Sequence, residues 1–93
     1  MVCMDFEWND DKNIENISKH RLSFYEAQQA FFDEDRIILT DKDHSSIEKR
    51  YFCIGKTAKG GIATVRFTKR NGHIRIIGAG YWRKGKKIYE QHN

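Results

Sequence analysis

The chain has 93 residues, enough for a single domain spanning 1–93 with one modest core and too few for a second lobe. Apolar residues make up 39% and aromatics 13%, low but sufficient for folding, and no apolar run approaches the length that spans a membrane. The net charge of +4 hides a division: Met1–Glu48 carries five Lys/Arg against twelve Asp/Glu, whereas Lys49–Asn93 carries twelve against one, Glu90.

Met4-Asp5-Phe6-Glu7-Trp8 alternates apolar and acidic residues, the period of a half-buried strand. Asn9 or Asp10 then caps a helix to about His20, with acids in its first turn and Ile14 and Ile17 marking its buried face. Ser23-Phe24-Tyr25-Glu26 is a capping box, in which the serine oxygen accepts from the Glu26 amide and the Glu26 carboxylate reaches back to the Ser23 amide. That second helix runs to about Asp33 and buries Phe24, Ala27, Ala30 and Phe31. Arg36–Thr40 reads as a strand, followed by the polar loop Asp41–Ser46. Three more strands follow at about Lys49–Lys56, Ile62–Thr68 and His73–Ala79, joined at Gly60-Gly61 and Asn71-Gly72, which supply the positive φ of tight hairpin turns. A short helix is expected from Trp82 onward, weakened by Gly85.

The expected fold class is α+β: an N-terminal strand and two helices packed on an antiparallel sheet, with a short C-terminal helix. Alternation puts Ala63, Val65 and Phe67 on one face with Ile74 and Ile76. Arg66 and Arg75 fall on the other face with Ile77 and Ala79. With the helices on the apolar face, the arginines stand on an open one, and the basic half of the chain presents them to a polyanion or an acidic partner.

Other chemistries find little support. Met1–Asp5 has no signal-peptide apolar region, so a cytoplasmic protein with reduced Cys3 and Cys53 is expected. The cysteines lack zinc spacing, the four histidines are scattered, and no Lys-Ser/Thr follows the Gly60-Gly61 pair, so no metal or cofactor is implied. His20 near a helix C-terminus suits either a structural or a proton-transfer role. His44 beside Asp43 suits either an oriented acid–base pair or a loop-shaping turn.

Phe6-Glu7-Trp8-Asn9-Asp10-x-Lys12-Asn13, then Asn16, then Lys19-His20-x-x-Ser23-Phe24-x-Glu26-Ala27, resembles the opening of BrnT-type toxins. The resemblance continues through Asp43-His44-Ser45-x-x-Glu48-x-Arg50, Ile54-Gly55, Ile74-Arg75-Ile76-Ile77 and Tyr89-Glu90. It implies a RelE-like ribonuclease fold and a type II toxin that cleaves mRNA and inhibits translation. It also implies a cognate antitoxin, BrnA-like with a ribbon-helix-helix domain, through which the complex binds operator DNA. The sequence departs from the pattern at Gly78-Ala79-Gly80, where members often carry Ser-Ala-Arg, and at Ile62, where a basic residue usually follows the turn glycine. Either Tyr81 and Arg83 take over for the missing basic residue at position 80, or activity is weaker or directed elsewhere.

Cleavage of RNA by its own 2′-hydroxyl needs a proton acceptor, positive charge on the crowded phosphorane, and a proton donor for the leaving 5′ oxygen. The resemblance implies that Lys, Arg and Tyr supply these in a metal-independent endoribonuclease. Arg66 and Arg75 are the expected phosphate clamps, and Arg83 a third clamp or a substitute for position 80. Tyr81 is a proton donor or a base-stacking platform, and Lys56 a base at a strand end. Lys59, Lys69, Arg70, Lys84, Lys86 and Lys87 would hold the RNA backbone. Against this stands a non-catalytic nucleic-acid-binding module, or a co-repressor subunit that only binds antitoxin.

Overall fold

The computed structural model describes residues 5–44 and 46–93. The expected strand start at Met4, the Cys3 thiol and the loop residue Ser45 lie outside the described residues. Phe6–Glu7 forms a short strand, β1, and Asn9 caps helix α1, Asp10–His20, by accepting from the Lys12 N–H at 3.0 Å. The helix stops at Arg21, which turns left-handed (φ 54°) and bonds its N–H to the Ile17 carbonyl.

The inward face of α1 is not the expected one. Ile14 and Ile17 are 64% and 43% exposed, and amides point inward instead. Asn13 Oδ1 accepts from the Phe24 N–H at 2.8 Å, satisfying a donor at the start of helix α2, Phe24–Ala27. Asn16, buried, donates to the Leu22 and Ala79 carbonyls (2.8 and 3.0 Å) and accepts from the Ala79 N–H at 3.2 Å. Its side chain bonds Ala79 as a neighbouring strand would.

Ser23 caps α2 as expected, accepting from the Glu26 N–H at 3.0 Å. The Glu26 carboxylate meets the Ser23 hydroxyl at 3.3 Å, whereas the capping-box pattern sends it to the Ser23 amide. After one α-turn the chain tightens to 3₁₀ over Gln28–Phe32, so the expected single helix has two geometries. The Ala30 carbonyl then lies so close over Gly55 that a Cβ there would collide with it.

Strand β2 (Ile37–Asp41) runs antiparallel beside β3 (Arg50–Lys56), and β3, β4 (Ile62–Arg70) and β5 (His73–Gly80) run antiparallel as the three successive strands expected. The turn before β4 uses Gly60 (φ 90°), and that before β5 uses Asn71 and Gly72 (φ 51° and 80°). β1 joins the free side of β5 in parallel, Phe6 opposite Ile74, giving a five-stranded mixed sheet in the order β1-β5-β4-β3-β2, where an antiparallel one was expected.

Alternation also fails at one point on β5. Phe67 lies opposite Ile76 but Arg66 lies opposite Gly78, so Ile77 is an extra residue, a β-bulge. Beyond it the strand's faces exchange. Ala79, expected beside Arg75, turns into the core opposite Val65 and is fully buried. Leu22, Phe24, Ala27 and Phe31 pack there against Cys53, Val65, Phe67 and Ile76.

Helix α3, Arg83–His92, lies on the opposite face, across β3 and β4. Gly85 allows this, because any side chain there would strike the Thr64 hydroxyl, and Ile54 is buried on the same face. Tyr89 ties the helix back by donating to Asp33 Oδ2 at 2.6 Å. The face expected to be open is therefore half covered.

Candidate nucleic-acid cleft

Strand register assembles the second face of the sheet in rows. One row reads Asp41, Arg50, Thr68, Arg75 and Glu7 from β2 to β1, and the next Leu39, Phe52, Arg66 and Gly78. Carboxylates close on the arginines. Arg66 Nη2 is 3.8 Å from Asp41 Oδ2, Arg75 Nη1 is 3.4 Å from Glu7 Oε2, and Arg70 is bidentate on Glu48 at 2.8 and 3.2 Å. Lys59 meets Glu26 at 3.1 Å. In each of these pairs the acid comes from the acidic half of the sequence and the base from the basic half. Arg66 and Arg75 do stand on the second face, but as half-buried, carboxylate-paired side chains and not as free clamps on an open surface.

Arg66 is also the floor of a cleft of about 260 Å³, together with the bulged Ile77 and Gly78. Helix α1 forms one wall with Lys12, Glu15, Asn16, Lys19 and His20, and Trp82 closes the end. His20 stands edge-on to the Trp82 ring, centroids 5.2 Å apart. Lys19 bonds Glu15 at 2.7 Å, which holds that carboxyl below its usual range. Gly78 opens the floor, since a Cβ there would have no atom within 4 Å. The buried Arg66 Nε–H meets no acceptor among the described residues. Such a donor costs about 1–3 kcal/mol unless something accepts from it, and guanidinium is suited to phosphate oxygens.

On the other side of Arg66, Asp41 holds His44. Its two oxygens are 3.2 and 3.1 Å from His44 Nδ1, so the histidine's partner is Asp41 and not the expected Asp43. Burial pushes the Asp41 carboxyl up, but the hydrogen bond to His44 and the charges of His44 and Arg66 together hold it below the usual carboxylate range.

The other candidate residues scatter. Lys56 is exposed at the far end of β3, and the Tyr81 hydroxyl is 3.0 Å from Thr57 Oγ1, with its ring against Gly61. Lys59 and Lys86 join Tyr81 around that turn. Arg83, Lys84 and Lys87 are exposed on α3, and Lys69 sits over the Tyr51 ring at 5.5 Å. Of the five expected catalytic residues, Arg66 and Arg75 alone share the charged part of the second face. A Cβ at Gly80 would come within 2.6 Å of the Trp82 ring, so Trp82 fills the space a side chain at position 80 would use.

Lys12 and Lys19 enter the sequence reading only as residues of the resemblance, with no site role assigned. Their signal was the spacing Lys12, Glu15, Asn16, Lys19, one face of a helix. Trp82 also separates the cationic cleft from an apolar groove of about 390 Å³ lined by Leu39, Phe52, Ile54 and Ile88. Burial pushes the Cys53 thiol up to about 12, leaving it unreactive. Among the described residues no helix is long and apolar enough to cross a membrane.

The profile of a family described as "Ribonuclease toxin, BrnT, of type II toxin-antitoxin system" matches residues 8–85. The structure is similar to the crystal structure of the Brucella abortus ribonuclease toxin BrnT, with a TM-score of 0.67 and 20% identity, over 86% of this chain and 97% of that one. At that identity the likeness speaks for the fold alone. No curated protein sequence matches the chain.

Proposed function

The chain belongs to the BrnT family of type II ribonuclease toxins, and from that premise we propose that it is a RelE-like endoribonuclease that cleaves mRNA in the Arg66 cleft without a metal ion. In this reading it inhibits translation in the cytoplasm until a BrnA-like ribbon-helix-helix antitoxin neutralises it, and the complex binds operator DNA. The observation that carries the site is Arg66, a guanidinium with a buried, unsatisfied Nε–H, in the lining of a cleft shared with Lys12 and Lys19.

A phosphodiester entering the cleft exchanges the loose 3.8 Å contact to Asp41 for charge-assisted hydrogen bonds from Arg66. As the 2′ oxygen attacks, negative charge grows on the phosphorane oxygens, and a fixed cation there lowers the barrier more than it aids binding. Lys12 and Lys19 hold the flanking phosphates, Arg75 adds field from the next row, and the Trp82 ring offers a stacking surface for a base.

Purified protein incubated with an oligoribonucleotide and a chelator should cut it. Arg66→Ala should lower the rate by about 10²–10³-fold, the scale of removing one charge-stabilising donor. Induced expression without antitoxin should stop growth, and the same substitution should relieve it. Unchanged cutting by Arg66→Ala would move the site elsewhere. A second reading, RNA binding without cleavage, is favoured by the carboxylates that already neutralise Arg66 and Arg75. It predicts salt-sensitive binding to intact RNA and no growth arrest.

A further inference from the structure

We propose that His44, oriented by Asp41 beside Arg66, is the proton-transfer residue for a phosphate held by Arg66 and acts as general acid toward the leaving 5′ oxygen. The proposal rests on the ribonuclease reading above. Asp41 Oδ2 is shared: it lies 3.1 Å from His44 Nδ1 and 3.8 Å from Arg66 Nη2. The carboxylate is 5% exposed at the end of β2, whereas His44 is 57% exposed on the 3₁₀ turn Lys42–His44. With Nδ1 turned to the carboxylate, the opposite ring nitrogen, Nε2, is directed away from it. A phosphate taken by Arg66 therefore sits within a side chain's reach of an imidazole whose orientation is already fixed.

The charged groups around His44 are Asp41 from β2 and, through it, Arg66 from β4, with Arg50 of β3 opposite Asp41 and Lys42 and Asp43 flanking on its own turn. In the step, the 2′ oxygen bonds to phosphorus and the P–O5′ bond breaks. Water takes the proton that leaves the 2′-hydroxyl, and the His44 imidazolium gives its Nε2 proton to O5′. The products are a 2′,3′-cyclic phosphate and a 5′-hydroxyl, and solvent reprotonates the ring. Asp41 is a positioning residue, since it touches the histidine and not the RNA.

The test compares wild type, Arg66→Ala and His44→Ala on one oligoribonucleotide, with chelator, from pH 5 to 9, with and without added imidazole. A general acid contributes about 10²–10⁴-fold. His44→Ala should lose at least the lower figure, lose the alkaline fall in rate, and regain cleavage with imidazole. Arg66→Ala should stay about 10²–10³-fold below the wild type with or without it. His44→Ala should stay folded, because the ring is more than half exposed and the contact it gives up is the one to Asp41. Wild-type rates and pH profile in His44→Ala, beside a slowed Arg66→Ala, overturn the proposal and leave the ribonuclease reading standing. Lost cleavage that imidazole does not restore, with the pH profile unchanged, also overturns it, because His44 then only shapes the turn. If the wild type does not cut RNA, the reading and the proposal fall together.

Discussion

The two faces of the sheet are held to the rest of the molecule by different physics. On the first, Leu22 just after α1, Phe24 of α2 and Phe31 of the 3₁₀ segment press onto Val65, Phe67 and Ile76, with Phe31 edge-on to Phe67 at 4.9 Å. On the second, the contacts are mostly between charges that come from opposite halves of the sequence, and only the end under α3 is apolar. A close-packed hydrophobic face tolerates little motion or substitution. A face of partly exposed ion pairs contributes little stability and can exchange its carboxylates for a ligand's phosphates. The division places stability on one side and candidate chemistry on the other.

The sharpest way to break this comparison is to remove an aromatic from each face. Phe24→Ala empties a fully buried site that also packs edge-on to Trp8, and should cost about 3–5 kcal/mol in denaturant unfolding. Phe52→Ala, half-buried between Leu39 and Arg66, should cost clearly less while disturbing RNA cleavage more. Equal losses of stability would erase the contrast between the faces.

Asn16→Ala comes next. It leaves the Leu22 carbonyl and both backbone groups of Ala79 without the amide that serves them, at a cost of order 3 kcal/mol, taking about 1–3 kcal/mol for a buried orphaned group. Hydrogen exchange at Ala79 should accelerate in the variant. If it stays protected, the strand edge is held by something other than Asn16.

Tyr89→Phe should cost about 2 kcal/mol at pH 7, the scale of a hydrogen bond to a charged group. Asp33 accepts from the Tyr89 hydroxyl and from the Lys56 and Asp35 N–H groups at 2.6, 2.7 and 2.9 Å. Burial alone would push its carboxyl up, yet these bonds hold it below 3.8, its ordinary value. A carboxyl lowered on folding stabilises the protein above the unfolded pKa, and that part is lost as pH falls through the folded one. Tyr89 runs the other way. The hydrogen bond to Asp33, followed by burial, raises it from 10.0 to about 12, so its contribution is present below pH 10 and is lost as pH climbs through about 12. Melting followed on both flanks should show each loss in the wild type, and Tyr89→Phe should flatten the alkaline one. An unaltered alkaline flank would mean that the phenol does not hold α3.

Much of the fold was legible because period and punctuation agree: the helix caps at Asn9 and Ser23, the hairpins at Gly60 and Asn71-Gly72, and the three long strands all sit within a few residues of expectation. The bulge at Ile77 was not legible, because alternation counts residues and a bulge inserts one without changing their type. The seat of α3 was hidden for a related reason. Gly85 reads as a helix weakener, yet its missing side chain is what lets the helix lie on Thr64. Charge and alternation put Arg66 and Arg75 on the second face but could not reveal their carboxylate partners, nor bring Lys12, Lys19 and His20 beside Arg66 from a helix distant in sequence.

The smallest predicted effect tests how α1 is held. A helix with isoleucines at positions 14 and 17 looks amphipathic in the usual sense, and its apolar side should be the buried one. In the structure those isoleucines face solvent, and Asn13 and Asn16 make the contacts. Replacing both with lysine, Ile14→Lys and Ile17→Lys, should shift stability by no more than about 0.5 kcal/mol each, the ordinary range for exposed positions. A hydrophobically seated helix would lose several times that. If the double variant instead melts far below the wild type, α1 leans on its isoleucines. The amide stripe would then be secondary, and the wall that carries Lys12 and Lys19 toward Arg66 would be anchored by burial after all.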